Sequence, residues 1–95
     1  MFSKLSFEWD SKKENINLKK HRITFLEAST VFGDRFARIA NDEAHSITES
    51  REIIMGESSH HKLLLVVFTE LADRIRIISA RLATPYERQC YEENK

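Results

Sequence analysis

Residues 63–68 read Leu-Leu-Leu-Val-Val-Phe, an unbroken apolar run with no polar side chain on either face. A run this short, apolar at every position, fits a strand covered on both sides. Such a strand sits inside a sheet, so the rest of the chain has to supply its neighbours. Three further stretches have strand character: Phe36 to Ala40, Arg51 to Met55, and Arg74 to Ser79. If residues 70 to 73 turn the chain, Thr69 faces Arg74, Phe68 faces Ile75 and Val67 faces Arg76. That register predicts Val66, Phe68, Ile75 and Ile77 on one core face, with Arg74 and Arg76 sharing the other.

The first third of the chain has a different character. Leu5, Phe7 and Trp9 alternate with Ser6 and Glu8, the period of a short strand with one buried face. Asp10 and Ser11 supply helix-start chemistry, and Ser11 with Glu14 stands at capping-box spacing, which predicts a polar helix reaching about His21. Thr24 and Glu27 repeat that spacing, and Phe25, Ala28 and Phe32 recur as a buried stripe on a second helix. Gly33 is placed to end it in the left-handed conformation. At the other end, Thr84-Pro85-Tyr86-Glu87 combines an N-cap, a proline at the first helical position and a glutamate at the third. The expected order is β-α-α-β-β-β-β-α: one α+β domain over residues 1–95, an antiparallel sheet packed with helices.

Charge narrows the function. Fifteen basic residues balance fifteen acidic ones, so nucleic-acid binding cannot be argued from net charge and must rest on where the charges lie. No apolar run approaches the ~20 residues of a membrane span. Met1 to Trp9 has no signal-peptide core, which makes the expected compartment the cytoplasm. Cys90 is the single cysteine, which excludes an internal disulfide and fits a reducing environment. Its helix needs an apolar face, so a buried thiol is the expectation.

Between residues 60 and 90, Lys62, Arg74, Arg76, Arg81 and Arg88 outnumber Glu70, Asp73 and Glu87. Arg74 and Arg76, two apart on a strand, have stems roughly 6 to 7 Å apart, a spacing that suits neighbouring phosphates. The same arginines could instead form a solvated face whose stems cover apolar surface. His21, at a helix end, reads either as a favourable partner for terminal carbonyls or as a general acid–base group, with Asn17 four residues earlier placed to orient it. The adjacent His60 and His61 fall at a hairpin turn and have no metal-ligand spacing, so neither a metal nor another cofactor is expected.

Many of these residues carry a family likeness. Phe7-Glu8-Trp9-Asp10, Asn17, Lys20-His21, Phe25-Leu26-Glu27-Ala28, Val31-Phe32, His45-Ser46 and Arg51 occur in order. Leu65 to Glu70, the segment Arg74-Ile75-Arg76-Ile77-Ile78-Ser79-Ala80-Arg81, Ala83-Thr84, Glu87-Arg88 and Tyr91-Glu92 follow. Over residues 7 to 92 the chain resembles the BrnT toxins of type II toxin–antitoxin systems. The resemblance implies a RelE-like fold and a ribonuclease that slows translation. It also implies a BrnA-like antitoxin with a ribbon-helix-helix region, through which operator DNA is bound.

For metal-independent RNA cleavage, Arg76 and Arg81 are then the expected charge stabilisers. His21 is the first candidate for proton transfer, with Glu70 and Tyr91 as alternates, and Arg51, Arg74, Arg88 and Lys62 are expected to hold RNA phosphates. The alternative is a non-catalytic binding module acting through antitoxin complex formation and control of its operon. Two positions depart from the family pattern: Arg22 stands where a glycine is usual, and the last helix lacks the arginine run of many relatives.

Overall fold

The computed structural model describes residues 5–42 and 50–95, so His45 and Ser46 of the family likeness lie outside the described residues. Its elements follow the expected order: β1 (Phe7–Glu8), α1 (Ser11–His21), α2 (Phe25–Thr30) continued by a 3-10 turn (Val31–Gly33), β2 (Arg38–Asn41), β3 (Glu52–Glu57), β4 (Leu63–Glu70), β5 (Ile75–Leu82) and α3 (Pro85–Glu93). The strands form one sheet in the order β1-β5-β4-β3-β2, with β4, which carries the apolar run 63–68, in the middle. β2 to β5 are antiparallel, whereas β1 joins β5 in parallel, Phe7 beside Ile75 and Glu8 beside Arg76.

The β4–β5 register differs from the expected one. Glu70 stays in the strand opposite Ile75, Thr69 faces Arg76 and Phe68 faces Ile77; beyond an irregularity at Val67/Phe68, Val67 faces Ser79. The connection is closed by the Leu71 N–H donating to the Arg74 carbonyl at 2.8 Å. Relative to the expected pairing, Phe68 meets β5 two residues further on. Since side chains alternate with period two, the slip leaves the same residues on the core face. Val66, Phe68, Ile75 and Ile77 are all buried.

One core lies between this face and the helical layer, where Ile23, Phe25, Ala28, Val31 and Phe32 meet Ile54, Leu64, Val66, Phe68, Ile75, Ile77 and Ala80. The Phe32 ring sits between those of Phe7 (centroids 5.2 Å) and Phe68 (5.0 Å), tying the shortest strand to the centre of the sheet. Gly56 lets the 3-10 turn approach β3: a Cβ there would lie 3.0 Å from Val31 and 3.1 Å from Ala37 and Asp34.

Three local expectations are corrected. Asp10, not Ser11, caps α1, its carboxylate accepting from the Lys12 N–H at 2.7 Å; Glu14 instead reaches the Phe25 N–H at 2.9 Å and serves the next helix. An aspartate at the N-cap brings full charge to the helix start, so it displaces the weaker serine. Gly33 is not left-handed, because α2 tightens into the 3-10 turn and the Asp34 N–H closes it on the Val31 carbonyl. The thiol-bearing Cys90 is half-exposed, since α3 presents Tyr91 rather than Cys90 to the body of the protein. The Thr84–Glu87 capping box is present as expected.

Positive φ falls instead on Arg22 and His61; Arg22, at φ 61° and ψ 29°, ends α1 with its N–H on the Leu18 carbonyl. A side chain in this conformation costs roughly 1–2 kcal/mol that glycine avoids, partly offset by glycine's freer unfolded chain. Arg22→Gly is therefore expected to stabilise the fold by about 0.5–1 kcal/mol, read as a higher urea midpoint at unchanged slope.

Candidate active site

Since β1 pairs only with Ile75 and Arg76, the remainder of β5 has no strand along its outer edge among the described residues. The helix α1 lies there instead. The buried Asn17 takes the place of a strand residue: its Oδ1 accepts from the Ala80 N–H at 3.0 Å and its Nδ2 donates to the Ile23 carbonyl at 3.1 Å. The amide is thereby committed to backbone on both sides, which is why it does not orient His21 as the helical spacing suggested.

Beside this seam, α1, β5 and Arg51, the residue before β3, line a cleft of about 390 Å³. Lys13, Lys20, His21 and Arg51 line it together with Asn17, Ile16, Ile78 and Ser79, and no carboxylate is among these lining residues. Recesses elsewhere do contain carboxylates: Asp34 and Glu57 in one, Glu57 and Glu92 in another. A chain of zero net charge thus gathers cationic and imidazole groups along one wall. Chemically, the cleft suits an anionic chain and brings one general acid–base group to it.

The sequence-derived candidates separate into groups. His21 and Arg51 come together in the cleft, and Arg76 lines an adjoining recess that shares Lys13 and Ile78 with it. Arg74 and Arg76 both donate their Nε to Glu8, the second at 2.6 Å, and Arg74 also reaches Asp73. These two hydrogen bonds hold the Glu8 carboxyl below its ordinary pKa, so it stays ionised. The other candidates are placed away from the cleft. Arg81 forms a two-pronged pair with Glu87, both contacts 2.9 Å. Arg88 lies 3.9 Å from Glu92, and Lys62 3.9 Å from the buried Glu27. Glu70 is exposed at the end of β4.

Tyr91 is buried and donates to Asp34. Burial first, and that hydrogen bond second, push its phenol above the ordinary tyrosine range, which makes it a poor proton donor. Asp34 keeps a lowered pKa although burial opposes it, because the Glu57 N–H, Tyr91 and the Phe36 N–H all donate to its carboxylate. This carboxylate fastens α3 to the turn beneath it.

Lys13 and Lys20 were not among the expected site residues. Their signal was present: seven apart on a helix, they flank Asn17 on one face next to His21. Glu8 was missed for a different reason, since no spacing in the sequence joins it to arginines 66 and 68 residues away.

The Arg81–Glu87 pair makes stability depend on acid. The Arg81 hydrogen bonds, then the opposing burial and the Thr84 N–H, leave the Glu87 carboxyl lowered from 4.5 to about 2. A depressed carboxylate contributes stability that is complete above its unfolded pKa and is lost as pH falls through the folded one. Arg81→Met is thus expected to be less stable than the parent at pH 6, by about 1 kcal/mol for a part-exposed pair. The gap between the two urea midpoints should close between pH 4.5 and 2.

By fold the chain is an α+β protein, a five-stranded sheet packed with helices, with a cleft lined by Lys13, Lys20, His21 and Arg51 at the helix-covered edge of the sheet. The family model described as the ribonuclease toxin BrnT of type II toxin–antitoxin systems matches residues 9–87, and the chain belongs to that family. The 1.1 Å crystal structure of the Brucella abortus ribonuclease toxin BrnT is similar in fold, with a TM-score of 0.66 at 22% sequence identity. The match covers 84% of this chain and 97% of that one. No curated protein matches the chain.

Proposed function

We propose that this chain cleaves RNA in the cleft between α1 and β5 without a metal ion, slows translation by doing so, and is neutralised by a BrnA-like ribbon-helix-helix antitoxin. Operator DNA is then bound through the antitoxin, and the setting is the cytoplasm, in keeping with the absence of any described helix long and apolar enough to cross a membrane. The observation that supports this reading best is the gathering of Lys13, Lys20 and Arg51 around His21 in a cleft with no carboxylate among its described lining residues.

RNA cleavage of this kind requires the 2′-hydroxyl to lose a proton, the phosphorane charge to be stabilised, and the departing oxygen to gain a proton. In the proposed arrangement Lys13, Lys20 and Arg51 hold the strand by its phosphates. His21 removes the 2′-hydroxyl proton as that oxygen attacks phosphorus. The bond to the 5′ oxygen breaks, that oxygen takes up a proton, and a 2′,3′-cyclic phosphate and a 5′-hydroxyl remain. Arg76, beside the cleft, stabilises the charge on phosphorus, and Arg74 grips a flanking phosphate. Arg81, committed to Glu87, serves to fasten α3.

The test is incubation of the folded protein with RNA in excess EDTA. Cleavage with 5′-hydroxyl ends is the expected result. Cleavage abolished by EDTA and restored by magnesium overturns metal independence, and intact RNA overturns the enzymatic reading. The alternative, a binding module that acts only through antitoxin complex formation and operon control, draws on α3, where Arg88 is set against Glu92. That reading predicts that induction of the chain alone leaves growth unchanged, where the ribonuclease reading predicts arrest relieved by the antitoxin.

A further inference from the structure

The shortest strand of the sheet carries a carboxylate whose position is hard to explain by stability alone. In β1, Phe7 packs its ring against Phe32, so alternation sends Glu8 to the opposite side. Parallel pairing sets Glu8 beside Arg76, with Arg74 two residues earlier, immediately before β5 begins. Each carboxylate oxygen then accepts from a different arginine, and in both cases from Nε, the nitrogen nearest the backbone. A guanidinium tethered through Nε leaves its terminal nitrogens available to a second acceptor, and the rigid planar fork restricts where they can point. Among the described residues no hydrogen bond engages the terminal nitrogens of Arg76, which lines, with Glu8 and Asp10, a recess that shares Lys13 and Ile78 with the cleft.

We infer that Glu8 is a positioning residue for RNA cleavage: it holds Arg76 by the inner edge so that its outer edge meets the reacting phosphate of a strand lying in the cleft. This rests on the ribonuclease reading above. The inference runs against simple charge arithmetic. A carboxylate beside an RNA site repels phosphate, so if charge were its only role, Glu8→Gln would bind RNA more tightly and cut it at least as fast. If Glu8 only secured β1, Glu8→Gln would melt earlier and turn over normally at temperatures well below the midpoint. As a positioning residue, its loss costs turnover while RNA binding stays level or tightens.

The experiment compares parent, Glu8→Gln, Arg76→Ala and the double variant on a labelled single-stranded RNA of mixed sequence, with affinity and single-turnover rate measured separately. The expected result is a fall in the rate of about 10- to 100-fold for Glu8→Gln without weaker binding, the scale of a misplaced catalytic group. The double variant should be no slower than Arg76→Ala, since the carboxylate acts through that arginine. A Glu8→Gln rate within twofold of the parent overturns the inference, as does a double variant whose losses multiply. Should the folded parent cut no RNA, the ribonuclease reading falls and this inference with it. An active parent with an unimpaired Glu8→Gln removes this inference alone.

Discussion

Asn17→Leu is expected to destabilise the protein by about 3–5 kcal/mol, the largest loss for any single polar side chain in the helical layer. Leucine keeps the volume and removes both hydrogen bonds, leaving the Ala80 N–H and the Ile23 carbonyl buried without partners. Each orphaned group costs about 1–3 kcal/mol. In a domain of this size total stability is about 5–15 kcal/mol, and each kilocalorie shifts the midpoint by about 4–8 °C, so a fall of more than 10 °C is expected in a thermal melt. The outcome that removes this account is a variant melting within 3 °C of the parent. An Asn17→Asp variant isolates one half of the bridge, because its carboxylate still accepts from Ala80 but no longer donates to Ile23.

His21→Gln is expected to lower RNA cleavage by 10²- to 10⁴-fold, the usual contribution of a positioned general acid–base group. Glutamine retains hydrogen-bonding capacity but cannot exchange a proton near neutral pH, so RNA affinity should change little. The lysines are expected to behave in the opposite way. Lys13→Ala combined with Lys20→Ala should weaken binding and flatten its salt dependence, with a slope against log salt smaller by about 1.4 if each lysine neutralises one phosphate of a single strand. Rate and affinity therefore separate along the wall of one cleft. Parent-like cutting by His21→Gln, together with an unchanged salt slope for the lysine pair, would place the chemistry elsewhere on the molecule.

The parts of this architecture that were readable from the chain are those fixed by neighbours in sequence. The Thr84 capping box, the central position of β4 and the core faces of β4 and β5 depend on residues a few positions apart. Readings failed where a local signal had two possible partners. Glu14 has capping-box spacing to Ser11, yet it serves the Phe25 N–H, because the turn after Arg22 brings α2 back against α1. Likewise, the β4–β5 register turned on whether Glu70 belongs to the strand or the loop, which alternation cannot decide.

The candidate site was legible only in its residue types. The excess of arginines after residue 60 is real, but strand order gives Arg74 and Arg76 a shared carboxylate, and the helix start gives Arg81 another. Those neutralisations depend on tertiary contact, whereas the lysines of α1 were overlooked because a polar helix reads as a solvated one. Among the described residues, the lining of the cleft holds bases and no carboxylate.

The parallel seam between β1 and β5 also has a consequence for how such a chain comes into being. The first strand of the domain waits for the last strand, and Glu8 cannot meet its arginines until a segment more than sixty residues downstream has been synthesised. Contacts this distant in sequence form late, after the local helices and the β4–β5 hairpin have paid their own loop-closure entropy. A nascent chain emerging at about 5–20 residues per second therefore spends several seconds with Glu8 already made and its arginines still to come. Throughout that interval the helix that lines the cleft is complete while the arginine of the adjoining recess has not been made.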